Sequence, residues 1–152
     1  MGKQRMDVGS VFPEAYRAVL GLEKVNRSGP IEAPLYELVK IRASQINGCA
    51  YCLNMHLRDA RAAGESAQRL DVLRAWREVE GLYTDRERAA LALTEAVTLI
   101  SVDGVPDDVW SDVQERFDER ETAALLLAIA TINVWNRLAI STRQQPEPVG
   151  GS

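Results

Sequence analysis

The sequence predicts an all-α fold. Three observations carry this prediction. Apolar residues recur at helical spacing along nearly the whole chain, no strand-like alternation of apolar and polar residues survives inspection, and short Gly/Pro/Asn turn signals separate the periodic runs. A length of 152 residues fits one domain, since domains usually hold roughly 100–150 residues.

The first helix starts at Pro13, a favourable first-turn residue, carries Ala15, Val19, Leu20 and Leu22, and breaks at Asn26-Arg27-Ser28-Gly29-Pro30. A second starts near Glu32 to Pro34, runs through Leu35, Leu38, Val39, Ile41 and Ile46, and closes at Asn47-Gly48, residue types that accept the left-handed conformation of a helix end. A third begins at or beside Cys49 and reaches Ala63, where Gly64 stops it. Ser66 caps a short fourth helix, Ala67 to Arg77. Thr84 followed three residues later by Glu87 is a capping box, and it opens a strongly periodic helix to about Ile100. Gly104 and Pro106 separate that helix from one over about Asp107 to Phe117, and the last runs from about Glu121 to Thr142. Its most apolar stretch, Thr122 to Ile132, has about half the roughly 20 residues a membrane crossing needs and leads into Asn133, Asn136 and Arg137, so it reads as a core helix. Seven helices thus form one domain over residues 1–144, and the Pro/Gly/Ser-rich residues 145–152 are expected to be a disordered tail.

Composition narrows the function classes. Eighteen basic against 22 acidic side chains give a formal charge of −4, with no basic block to neutralise a run of phosphates, so neither nucleic acid nor a membrane is an expected partner. The segment Met1 to Met6 carries charge but leads into no apolar run with a cleavage site, which makes the cytoplasm the expected location. A chain this long buries about two-thirds of its unfolded surface, so folding needs neither disulfide nor metal. Cysteine chemistry is therefore free to serve function.

Both cysteines occur in Cys49-Ala50-Tyr51-Cys52, and the single histidine, His56, follows four residues later. On a helix turning about 100° per residue, positions 49, 52 and 56 fall within an arc of roughly 60°, with Cys52 and His56 direct neighbours. A thiol attacks as the thiolate, and a free pKa near 8.5 leaves only a few per cent ionised at neutral pH. Three sources of help are at hand. The positive end of a helix starting at Gly48-Cys49 favours an anion in the first turn, His56 can take the thiol proton, and Cys49 can attack an oxidised Cys52 to close a disulfide. If Asn47-Gly48 turns the chain sharply, Glu37 on the preceding helix can face the cysteines, where it would orient His56 or relay a proton.

The run Glu37 to His56, with its Glu-x11-Cys-x2-Cys-x3-His spacing, resembles the signature of AhpD-like alkyl hydroperoxidases within the carboxymuconolactone decarboxylase superfamily. The Thr84 to Thr98 helix and Asn133 to Arg137 are similar to the small single-domain, peroxidase-related subgroup. The resemblance implies Cys52 as peroxidatic thiolate, Cys49 as resolving thiol, and His56 with Glu37 as the proton relay. It further implies a hydroperoxide substrate, re-reduction by an external dithiol of thioredoxin or lipoyl type, no bound cofactor, and a homo-oligomer, commonly a trimer or hexamer. Tyr51 stands where the founding hydroperoxidase has a histidine. The decarboxylase branch of the superfamily lacks the cysteine pair, so the lactone reaction is not expected.

Other readings compete. The cysteines could be small buried hydrophobes. A metal ion could be held by Cys52 and His56, but not also by Cys49, because seven helical residues span about 10 Å and zinc–ligand bonds are only about 2.0–2.3 Å. A noncatalytic helical assembly protein with the pair as a redox-sensing or metal-binding latch is the alternative to an enzyme. Trp135, Asn136 and Arg137 are expected to cover core or a subunit contact rather than act in catalysis. Arg58, Asp59, Arg61 and Glu65 read as a solvated face with helix ion pairs.

Overall fold

Local punctuation sets most helix boundaries. In the computed structural model, which describes residues 2–148, the elements are α1 (Val8–Val11), α2 (Pro13–Arg27), α3 (Ala33–Asn47), α4 (Ala50–Ala62), α5 (Ala67–Asp71), α6 (Asp85–Thr98), α7 (Ile100–Asp103), α8 (Asp107–Arg116) and α9 (Glu119–Thr142), with a 3₁₀ segment at Leu73–Glu78. The described residues contain no strand, and the fold is all-helical as expected. The Thr84 capping box forms: Glu87 N–H donates to Thr84 Oγ1 (3.1 Å) and Thr84 N–H donates to Glu87 Oε1 (2.9 Å). Gly48 ends α3 in the left-handed region (φ 71°, ψ 36°), where a side chain would be strained.

The element count departs from the seven expected. The single turn α1 carried no sequence signal strong enough to read. Ala67 to Arg77 is not one helix: it splits into α5 and the 3₁₀ segment, with Ala75 in a non-helical conformation (φ −114°, ψ 28°). Tertiary demand explains the break, since Leu73 and Trp76 are both buried and the Trp76 indole N–H donates to Glu95 Oε1 at 2.8 Å. Leu99 leaves helical geometry, so the stretch expected to reach Ile100 divides into α6 and α7. α9 starts two residues early because Asp118 and Glu121 form a second capping box.

α3 is the organising helix. Leu35 and Val39 pack into one cluster with Ala89, Ala90 and Leu93 of α6, Val113 of α8, and Leu125 and Ile129 of α9. Leu38 and Ile41 enter a second cluster with Ala60, Leu70, Leu73, Trp76 and Leu91. The apolar stretch of α9 is spent on this core, as expected: Leu125, Ile129 and Ile132 are fully buried. α9 then runs on past the α3–α4 turn, so that α3, α4 and α9 meet where the two cysteines lie. Residues 144–148 follow α9 without helix or strand, and Glu147 there approaches Arg58 at 3.6 Å. The remainder of the expected tail, residues 149–152, lies outside the described residues.

Candidate active site

The α3–α4 turn places the two cysteines differently. Cys49 is the N-cap of α4 with extended backbone (φ −84°, ψ 97°), and its sulfur accepts the Cys52 N–H at 3.3 Å. Cys52 and His56 share a helix face as expected, whereas Cys49 reaches them from the cap rather than from within the helix. The backbone N–H groups of the helix start therefore serve the sulfur of Cys49 more than that of Cys52: those of Tyr51 and Cys52 act on Cys49, and only that of Cys52 acts on Cys52 itself. Asked which thiol ionises first, the geometry answers Cys49. The Cys52 thiol hydrogen-bonding to it outweighs burial, and with the N–H groups of Cys52 and Tyr51 and the Asn136 amide it brings Cys49 down to about 7. Cys52 goes the other way: the adjoining Cys49 sulfur and then burial push its thiol well above the ordinary range. Absorbance of the reduced protein at 240 nm is accordingly expected to show one thiolate appearing with a midpoint of about 7, while the second stays protonated until strongly alkaline pH. Two thiolates appearing together would contradict this division.

Glu37 projects from α3 onto His56, its Oε2 lying 3.3 Å from His56 Nδ1. The two atoms are close but not aligned as a formed hydrogen bond, and neither has another partner among the described residues. Burial pushes the Glu37 carboxyl up, yet His56, Lys40 and Arg27 together overcome this and hold it below the usual carboxylate range. Glu37 thus stays an anion beside the Nδ1 edge of the imidazole.

Cys52 and His56 both line a cavity of about 420 Å³. α4 contributes Met55 and Asp59, α2 contributes Tyr16, Leu20 and Glu23, and α9 contributes Trp135 and Leu138. Tyr16 and Trp135 meet edge to face with ring centroids 5.3 Å apart. The wall is completed by Gln4 to Gly9, a segment pinned to α9 by Arg5 N–H on Thr142 O (2.8 Å) and the Arg5 guanidinium on Ser141 O (3.2 Å). Cys49 lies behind Cys52, packed against Ala139. Of the two cysteines, Cys52 lines the cavity and Cys49 does not.

The site residues singled out from the sequence, Cys49, Cys52, His56 and Glu37, come together in space. Asn136 is different: expected as core or contact, it is fully buried and touches the chemistry. Its amide eases ionisation of both thiols while donating to Ser44 Oγ (3.0 Å) and accepting from the Asn47 amide (2.9 Å). The readable signal was a pair of amides, Asn133 and Asn136, in an otherwise apolar stretch, since buried amides need partners. Trp135 is a cavity wall, and Arg137 donates to Asn133 Oδ1 at 2.6 Å. Asp59, read as part of a solvated face, pairs with Arg58 and also lines the cavity. Among the described residues no group of three His, Cys, Asp or Glu side chains is arranged to hold a metal ion.

Comparison with known proteins places this arrangement. Residues 13–96, which span α2 to α6 and all four of these residues, match the family model described as the carboxymuconolactone decarboxylase family. The uncharacterized protein YdfG of Bacillus subtilis (strain 168) is 42% identical over 138 residues, covering 91% of this chain and 93% of that protein. The chain belongs to the carboxymuconolactone decarboxylase family. Within the family its fold is that of the AhpD-like proteins. A solved structure from Agrobacterium tumefaciens, a protein of unknown function connected by its description with AhpD antioxidant defence, superposes with a TM-score of 0.92 at 40% identity and covers 97% of this chain and 100% of that one. An uncharacterized peroxidase-related protein from Silicibacter sp. TM1040 shares the fold at a TM-score of 0.78 and 20% identity, over 89% of this chain and 71% of that one.

Proposed function

We propose that this protein is a dithiol peroxidase that reduces hydroperoxides at Cys52 and is itself re-reduced by an external dithiol. The observation that carries the reading is the division of labour in the cysteine pair: one sulfur faces the cavity beside the only imidazole, while the other sits behind it at a helix start. His56, backed by Glu37, accepts the Cys52 proton. Cys52, which rests as the thiol beside the more acidic Cys49, passes its proton to His56 as its sulfur attacks the distal peroxide oxygen; the O–O bond breaks, the leaving alkoxide takes that proton from His56 to become the alcohol, and Cys52 becomes a sulfenic acid. Cys49, already the more acidic thiol, attacks that sulfur. Water departs, and the disulfide closes. In the return step an external thiolate attacks Cys52 from the cavity and Cys49 leaves, a direction favoured because the lower-pKa thiol is the better leaving group. AhpD-like and peroxidase-related neighbours support an enzyme of this type.

A thioredoxin or lipoyl-type dithiol fits as reductant, and a reducing cytoplasm would keep the pair cycling. A homotrimer or homohexamer belongs to the same reading. Leu22 and Val25 on α2 and Leu127 and Val134 on α9 are exposed apolar side chains available to such contacts. The test is peroxide consumption by the wild-type protein with excess dithiol. Many turnovers per subunit, with an intermediate lighter by two hydrogens, are expected. One equivalent of oxidation without turnover would instead identify a redox latch.

A further inference from the structure

Lys40 is the most anomalous side chain outside the site just described. It lies on α3 one turn beyond Glu37, its side chain is only 1% exposed, and its ammonium sits 2.6 Å from Glu23 Oε1 and 3.9 Å from Glu37 Oε1. A fully buried ammonium is costly unless it is paired, and an apolar side chain of like volume would often pack there at lower cost. The surroundings are assembled around charge. From α2, Glu23 and Arg27 face the group, and Arg27 Nη1 reaches Glu37 Oε1 at 3.3 Å. From α3, the Tyr36 hydroxyl donates to Glu23 Oε1 at 2.9 Å and its ring lies 4.5 Å beneath the Lys40 nitrogen. From α4, His56 meets the other oxygen of Glu37. Three helices thus contribute one continuous chain of polar contacts, Glu23 to Lys40 to Glu37 to His56, both ends of which line the cavity.

We propose that Lys40 is a positioning residue for the peroxidase: shared between Glu23 and Glu37, its buried ammonium holds the Glu37 carboxylate against His56. This rests on the reading of His56 as the group that takes the Cys52 proton. The two carboxylates each lie within 4 Å of the same nitrogen. Without that buried cation only the guanidinium of Arg27, its side chain 56% exposed, still bridges them, at 3.4 Å from Glu23 and 3.3 Å from Glu37, and the pair takes up a proton more readily. Glu37 is the one exposed to this change, because Glu23 keeps the Tyr36 hydroxyl. A protonated Glu37 no longer anchors the imidazole as an anion, and Cys52 loses its proton acceptor.

The experiment reads Cys52 alone, in a Cys49→Ser background, by the pH dependence of iodoacetamide alkylation. Lys40→Met is expected to move the midpoint up by about one pH unit and to slow labelling at neutral pH about tenfold. Adding Glu23→Gln removes the competing carboxylate and is expected to return the midpoint to that of the parent. A merely structural lysine would lower thermal stability without moving the midpoint. A folded Lys40→Met with an unchanged profile overturns the proposal, as does a shift that Glu23→Gln fails to reverse. Should Lys40→Met not fold, Lys40→Gln, which keeps a polar head for Glu23, is read by the same criteria. His56→Ala in the same background separates the two levels: if it leaves the midpoint in place the relay itself fails, whereas if it moves the midpoint and the Lys40 variants do not, only the role of Lys40 fails.

Discussion

Replacing Cys52 by serine is expected to abolish peroxide consumption, while Cys49→Ser should consume one equivalent and stop. The asymmetry follows from position. Cys52 lines the cavity and Cys49 is packed behind it against Ala139, so a peroxide in the cavity cannot meet Cys49 first. Serine at 52 offers a hydroxyl whose ionisation lies far beyond the reach of an imidazole in this setting, and it is no nucleophile towards the O–O bond. Serine at 49 leaves the first attack intact but removes the sulfur that would resolve it. The Cys49→Ser protein should therefore accumulate a sulfenic acid, trapped by a cyclic 1,3-dione and counted by mass spectrometry. Equal behaviour of the two variants would refute the assigned roles, and turnover by Cys52→Ser would reverse them.

His56→Ala should lower kcat/KM for peroxide by about 10²–10⁴, the range spanned by a positioned general base. The imidazole is the sole one in the sequence, so no second histidine stands in for it. Its loss also strands Glu37: after burial, the nearby His56 is the leading influence on that carboxyl, and without it Glu37 is expected to titrate at higher pH. The measurement is the pH dependence of kcat/KM together with that of Cys52 alkylation, and both should shift upward in pH. A loss of activity with an unmoved alkylation profile would mean that His56 binds substrate instead of ionising the thiol.

What could be read in the sequence was what is locally determined. The Thr84–Glu87 cap, the Pro13 start and the left-handed Gly48 are each fixed by two or three neighbouring residues, and the helices they bound follow from them. The Asp118–Glu121 cap obeys the same rule; the apolar run that begins at Thr122 drew the boundary inward. Ala67 to Arg77 misled for a different reason. Every residue there tolerates a helix, and the break at Ala75 comes from the need to bury Leu73 and Trp76 together, a demand set by α3 and α6. The candidate site divides along the same line. Cys52 and His56 are neighbours by helical spacing alone, and Glu37 was within reach once the turn at Asn47-Gly48 was supposed. The cap role of Cys49, which brings the helix-start N–H groups of Tyr51 and Cys52 to its own sulfur, depends on one residue's backbone angles. Asn136 was expected to cover core or a subunit contact and Lys40 carried no signal of its own, and only the meeting of α2, α3, α4 and α9 gives them partners.

The segment from Gln4 to Gly9 has a consequence of its own. It walls the cavity and is tied to α9 through Arg5, yet α1, which begins within it, buries no residue. Part of the cavity wall is therefore carried by a length of chain that the core does not depend on. Substitutions near the amino end can reshape what the pocket admits at little cost to the folded core, and a bulky purification tag fused there would be expected to alter substrate preference before it altered reactivity.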